Sequence, residues 1–243
     1  MAVDGLGGEE LGAGVWEAIL IKPYYQDDLC TLYCADARRL LPKLNQKFDA
    51  WITDPIWPNN KVYVQDPYRL FAETVQYAVG STNRLVIHLG GDSDPRIMNS
   101  IPEGYPFFRV CHLRYACPSY KGRVLYTADI AYVFGRPPKA KVGAMVLPGE
   151  IMSTKSDGLF RAGNGRNKSF TRGSGDGLLH PSPRRYQHVE WLVKWFGGET
   201  VLDPFVGSGT TLLAAKRQGV ASVGIEINEQ FCALAVKRLR GQL

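Results

Sequence analysis

The chain has 243 residues, 45% of them hydrophobic and 21% charged, a balance that excludes disorder, collagen-like repeats and a coiled coil. Twenty-nine Lys and Arg against 23 Asp and Glu leave a formal charge of +6 and a pI near 9.0, which suits a polyanionic partner without demanding one. Five cysteines, spaced C-x3-C and C-x5-C at their closest, indicate neither a disulfide framework nor a zinc ribbon, and with no long apolar run or signal-peptide pattern the chain reads as a reduced, cytoplasmic protein.

Residues 1–14 hold five glycines and three acids, too little apolar surface to offset ordering entropy, and read as a flexible arm. The rest, 15–243, reads as one domain. Apolar runs at Leu29–Cys34, Ala50–Thr53, Leu85–Leu89 and Ile130–Phe134 predict buried strands. Between the second and third, Asp66 and Pro67 supply a cap and a first-turn proline, and Phe71, Val75 and Ala78 recur at helical spacing. Cys117, in Ala116-Cys117-Pro118, reads as core. His88, His112, His180 and His188 show no metal-ligand spacing, so each is expected to be structural. Trp191 and Trp195 lie four apart, a core pattern.

The stretch from Lys155 to Arg185 carries seven basic residues, two acids and six glycines, and reads as a short, flexible basic insertion. Ser182-Pro183 then predicts an N-cap and first-turn proline, followed by an apolar stripe of Val189, Leu192, Val193 and Phe196 that stops at Gly197-Gly198. Glu199–Asp203 predicts a strand, Thr210–Gln218 a helix closed by Gly219, Ser222–Glu226 a strand, and Asn228 the cap of a last helix carrying Phe231, Leu234 and Leu239. Strand, helix, strand and helix in succession are a βαβ pattern, so the expected fold class is α/β with a doubly wound, mostly parallel sheet.

Two segments carry chemistry. In Val201-Leu202-Asp203-Pro204-Phe205-Val206-Gly207-Ser208-Gly209-Thr210-Thr211, a strand ends on an acid and turns through two glycines into a helix N-terminus, where a nucleotide-like ligand can approach unpaired backbone amides. Leu212 stands where a dinucleotide fingerprint has its third glycine, and no Gly-Lys-Ser/Thr follows, so adenosine without phosphate fits best. Glu226, at the end of the next strand, can accept hydrogen bonds from both ribose hydroxyls. The second segment, Phe48-Asp49-Ala50-Trp51-Ile52-Thr53-Asp54-Pro55-Ile56-Trp57-Pro58, ends an apolar strand in Asp-Pro beside an aromatic ring. A carboxylate there can hold an exocyclic amine and a ring can stack on a base, although Asp-Pro is equally a common turn.

Together, and in this order along the chain, the two segments resemble the beta class of amino-methylating DNA methyltransferases: Asp203-Pro204-Phe205-x-Gly207-x-Gly209 looks like their cofactor motif and Asp54-Pro55-Ile56-Trp57 like their Asp-Pro-Pro-Tyr/Trp motif. Tyr33-Cys34-Ala35-Asp36 and His180-Pro181-Ser182-Pro183-Arg184 are further matches. The resemblance implies a Rossmann-like methyltransferase fold binding S-adenosyl-L-methionine, with no metal. Asp203, Pro204, Phe205, Gly207, Gly209 and Thr210 would surround the cofactor, Glu226 its ribose, and Asp36 its adenine. Asp54 and the Pro55 carbonyl would hold the target amine while Trp57 stacks on a flipped base.

It further implies that 138–179 is an inserted target-recognition region, with Arg161, Arg166, Lys168 and Arg172 on DNA phosphates. Ile56 departs from the family's second proline, restoring a backbone N–H and freeing φ. An acid at 54, where cytosine-N4 enzymes usually carry Ser, favours adenine N6. The implied role is thus adenine methylation in a bacterial or phage restriction-modification setting, with DNA as partner and room for a cognate nuclease, a second subunit or a homodimer. A non-catalytic nucleic-acid-binding subunit, a cytosine-N4 enzyme and an RNA adenine methyltransferase are the alternatives.

Overall fold

The computed structural model describes residues 22–56, 64–140, 143, 146–154 and 184–242. Among these, nine strands form one sheet: β1 (Tyr25–Gln26), β2 (Cys30–Cys34), β3 (Ala50–Thr53), β4 (Arg84–Leu89), β5 (Phe107–Lys121), β6 (Val124–Gly135), β7 (Glu150–Ser153), β8 (Thr200–Asp203) and β9 (Ala221–Glu226). Their order across the sheet is β1-β2-β9-β8-β3-β4-β6-β5-β7. The five strands from β2 to β4 run parallel, while β6 and β5 form an antiparallel hairpin against β4. The doubly wound, mostly parallel α/β fold expected from the sequence is the one observed.

Parallel strands are buried on both faces, and alternate residues show it. Ile52, Val86 and Val201 pack on one side beneath α3 (Tyr186–Leu192), α4 (Thr210–Arg217) and α5 (Glu229–Leu239). Trp51, Leu85, Ile87 and Leu202 face the other side, under α1 (Ala37–Leu40) and α2 (Pro67–Val75). The Asp66 carboxylate accepts from the Arg69 amide at 3.0 Å, capping α2, and Asn228 caps α5 in the same way.

Several expectations need correction. Helix α3 begins at Tyr186 with Arg185 as its cap, not at Ser182-Pro183, which lie outside the described residues. The reason is next door: Arg184 is drawn inward by two carboxylates (below), which holds the chain extended. Cys117 is exposed, not core, because β5 and β6 run on past their neighbours as a two-stranded ribbon with no layer over it among the described residues. In α5 the inward face is Cys232, Ala235 and Leu239; Leu234 is buried as expected, but Phe231 lines a cleft. Trp191 is buried, edge-on to Phe196, and Trp195 packs against the same core, as expected.

One glycine decides how the turn after β8 lies. A Cβ on Gly224 of β9 would collide with Val206 Cγ2 and come within 2.8 Å of Leu212 Cδ1, and the Val206 amide donates to the Ile225 carbonyl at 3.1 Å. Absence of that Cβ lets the turn rest flat on β9. Gly224→Ala is therefore expected to destabilise the fold by about 1–3 kcal/mol in denaturant titrations, the usual cost of overpacking; an unchanged midpoint would show that the turn does not depend on this contact.

Candidate functional site

Across the carboxyl edge of the parallel strands stand four of the acids singled out from the sequence. Asp36 follows β2, Glu226 ends β9, Asp203 ends β8 and Asp54 follows β3, in that spatial order. The chain leaves the β8–β3 seam in opposite directions, through β9 on one side and β4 on the other. Such a reversal opens a crevice at the strand ends, where ligands of open α/β sheets bind. Here it is a cavity of about 890 Å³, lined by all four acids and by Pro55, Pro204, Phe205, Gly207 and Thr210.

The glycine turn does its work by closeness rather than by free donors. Gly209 has φ +82, and a Cβ there would meet Ala235 Cβ at 2.7 Å. The expected unpaired amides are, at two positions, already paired: Gly207 donates to Glu226 Oε2 at 2.8 Å and Gly209 to the Val206 carbonyl at 3.0 Å. Glu226 accepts a second amide, from Asn228, at 2.8 Å on its other oxygen. Each carboxylate oxygen accepts more than one hydrogen bond, so ribose hydroxyls remain compatible with this arrangement. Burial raises the Glu226 carboxyl above its ordinary value despite these amides. Arg238 of α5, which the sequence did not flag, reaches under the turn and donates to the Ser208 carbonyl at 2.6 Å and to Thr210 Oγ1 at 3.1 Å.

Asp203 is buried and accepts from Thr53 Oγ1 at 2.7 Å and from the Phe205 amide at 3.0 Å. Asp36 caps α1 through the Arg38 amide and pairs with the Arg38 guanidinium at 2.7 Å, so its carboxylate is fixed at the cavity wall.

Asp54 is held by a residue to which sequence reasoning gave no role. Arg184 donates from Nε to Asp54 Oδ2 at 2.6 Å and from Nη2 to Oδ1 at 2.7 Å, a two-point clasp, and from Nη1 to Asp129 Oδ2 at 3.1 Å. His88 Nε2 lies 3.3 Å from the same Asp129 oxygen. Burial pushes the Asp129 carboxyl up, but the hydrogen bond from His88 and the charge of Arg184 overcome this and hold it well below the usual range. Burial also lowers His188, nearby, to about 4. Ligand atoms of His88, Asp129 and His188 lie within 4.8 Å of one another, a juxtaposition invisible in their spacing. A guanidinium on the one carboxylate of that trio opposes a cation there. Trp57, Arg161, Arg166, Lys168, Arg172 and His180 lie outside the described residues.

Comparison with known proteins bears on this cleft. A family model described as DNA methylase (N6_N4_Mtase) matches residues 182–237, which include the glycine turn and Glu226. Type II methyltransferase M.ScaI of Streptomyces caespitosus is 26% identical over 265 residues, spanning 91% of this chain and 84% of that enzyme. Over residues 182–237 the chain thus matches the DNA methylase family, and over most of its length it is similar to a Type II methyltransferase. Other Type II methyltransferases match over short segments, for instance M.BsoBI of Geobacillus stearothermophilus at 55% over 42 residues, 16% of this chain and 8% of that enzyme. In fold, the chain is similar to the M1.HpyAVI–SAM complex, with a TM-score of 0.60 at 21% identity over 87% of this chain and 99% of that one. The cytosine-N4-specific PvuII DNA methyltransferase gives the same TM-score at 15% identity, over 90% and 96%.

The buried acid at the end of β8 makes a testable demand. Burial pushes Asp203 up to about 6, against hydrogen bonds from Thr211, Thr53 and the Phe205 amide. A folded value above the unfolded one means that its stabilising contribution is complete below the unfolded value and is lost as pH rises through the folded one. Asp203→Asn does not ionise, so its melting temperature relative to wild type should climb as pH rises from 3.8 to above about 6. Thermal melts across that window check it; a constant difference would mean that Asp203 titrates alike in the folded and unfolded chain.

Proposed function

We propose that the chain transfers the methyl group of S-adenosyl-L-methionine to the exocyclic N6 of adenine in DNA, on a base turned out of the duplex. What supports the reading most is that Asp54, at the end of β3, opens onto the same cavity as the Gly207–Gly209 turn and Glu226. The cofactor fits this chain by its own geometry: a turn brought close to α5 by a missing Cβ at Gly209, with the buried Asp203 and the half-buried Glu226 beside it. Glu226 holds the ribose, Asp36 lies at the adenine end, and Asp203, Pro204, Phe205 and Thr210 enclose the remainder. When bound, the cofactor supplies a methyl group on a cationic sulfur.

The chain's own residues then have one task, to make a poor nucleophile reactive. The lone pair of an exocyclic amine is delocalised into its ring. Hydrogen bonds to Asp54 and to the Pro55 carbonyl draw its N–H groups out of the ring plane and release the lone pair, while fixed geometry supplies the alignment. Trp57 stacks on the flipped base. Four basic residues of the insertion, Arg161, Arg166, Lys168 and Arg172, contact phosphates.

Methyl-labelled cofactor and mixed-sequence duplex DNA, followed by digestion to nucleosides, tests the reading. Label is expected in N6-methyladenine; label in N4-methylcytosine, or none in DNA, would overturn it. Asp54→Ala should abolish transfer with cofactor affinity nearly unchanged, whereas Glu226→Ala should weaken cofactor binding in calorimetry by about 1.5–3 kcal/mol.

A separate expectation concerns the insertion. Replacing its four named basic residues with Ala should flatten the slope of log affinity against log salt by roughly 3–4 for duplex DNA, since each phosphate contact contributes about 0.9. An unchanged slope would remove these residues from the interface.

A further inference from the structure

The two-point clasp between Arg184 and Asp54 has a chemistry of its own. Asp54 sits in a loop just past the end of β3, with about a quarter of its side chain exposed (27%). A lone carboxylate in that situation samples several rotamers. The guanidinium that holds it is itself buried, with 7% of its side chain exposed, and is fixed on its far side by Asp129, equally buried at 6%. Asp129 in turn is held by His88 and by the Tyr115 hydroxyl. The elements joined are the loop after β3, the start of α3, β6, β4 and β5, so the clasp crosses the whole wall of the cleft opposite the glycine turn.

From this geometry we infer that Arg184 is a positioning residue for methyl transfer, locking Asp54 in the orientation that meets the target amine, with Asp129 as its anchor and charge balance. The inference rests on the reading of Asp54 as the carboxylate that holds the amine. Two features favour positioning over simple packing. A planar fork matches both oxygens of a carboxylate and fixes its plane, which a Lys ammonium cannot do. Two carboxylates around one guanidinium also leave a net negative charge beside the place where an attacking amine becomes cationic. Arg184 with Asp54 alone would be neutral, and Arg184 without a partner would repel the reaction. Asp129 therefore keeps the guanidinium from cancelling the charge of Asp54.

The test compares Arg184→Lys, Arg184→Met and Asp129→Asn with wild type and with Asp54→Ala. Folding is followed by thermal melts, cofactor affinity by calorimetry, and single-turnover methyl transfer on saturating duplex DNA. Arg184→Met is expected to lower the transfer rate by about 100-fold and Arg184→Lys by about 10-fold, the scale of a reacting group displaced by an ångström or so, with cofactor affinity within about twofold of wild type. Asp129→Asn should also slow transfer while sparing cofactor binding. If Arg184→Met does not fold, the Lys and Asn variants carry the same comparison. Wild-type transfer rates in the folded Arg184 variants, with Asp54→Ala inactive, would overturn the positioning role and leave the Asp54 reading standing. Rate and cofactor affinity falling in parallel would also overturn it, since that is what collapse of the cleft produces. An active Asp54→Ala protein would instead overturn the reading on which the inference rests.

Discussion

The hydrogen bond from Thr53 to Asp203, 2.7 Å long and buried, ties the two halves of the cleft together. Thr53 ends β3 and Asp203 ends β8, strands whose register is set by Ala50 opposite Val201 and Trp51 opposite Leu202. From this seam β9 and the glycine turn extend to one side, and β4 with the Asp54 loop to the other. A slip in register would strip the buried Asp203 carboxyl of its Thr53 donor, a cost of about 1–3 kcal/mol. The pairing thus fixes how far Asp36 and Glu226 stand from Asp54.

A second constraint follows from charge. The protein is basic overall at +6, yet acids from five different elements gather along one edge of its sheet. Asp36 is held by Arg38, Glu226 by two backbone amides, Asp203 by hydroxyls and an amide, Asp54 and Asp129 by Arg184. Each carboxylate is desolvated and then partly repaid by donors that cannot move away. A preorganised negative edge suits a cationic cofactor, and a net positive charge suits a polyanion.

Much of this was legible in the sequence because strands and caps are local. Ala50–Thr53 is observed as expected, and the strands and helices around Asp203, Glu226 and Asn228 fall within a residue or so of their predicted ends. The adjacency of Asp54, Asp203 and Glu226 followed from the family resemblance, since parallel strands bring together residues some 150 positions apart. What escaped notice depends on long-range partners. Arg184 ended both a basic run and the His180–Arg184 match, and its clasp is visible only beside Asp54 and Asp129, 130 and 55 residues away in sequence. Arg238, near the end of α5, is folded under the Ser208 turn, a placement that depends on a partner 30 residues away. The 15-residue strand β5 lacks clean alternation, and its outer half is exposed on a ribbon, so neither periodicity nor burial announced it.

A crystal structure of the protein with S-adenosylhomocysteine, the demethylated product of the cofactor, tests most directly whether this edge is one site. The account predicts the ligand against the Gly207–Gly209 turn with its ribose on Glu226 and its adenine toward Asp36, in the cavity onto which Asp54 opens. Ligand bound elsewhere, or held in this cavity with Glu226 out of contact, would contradict it.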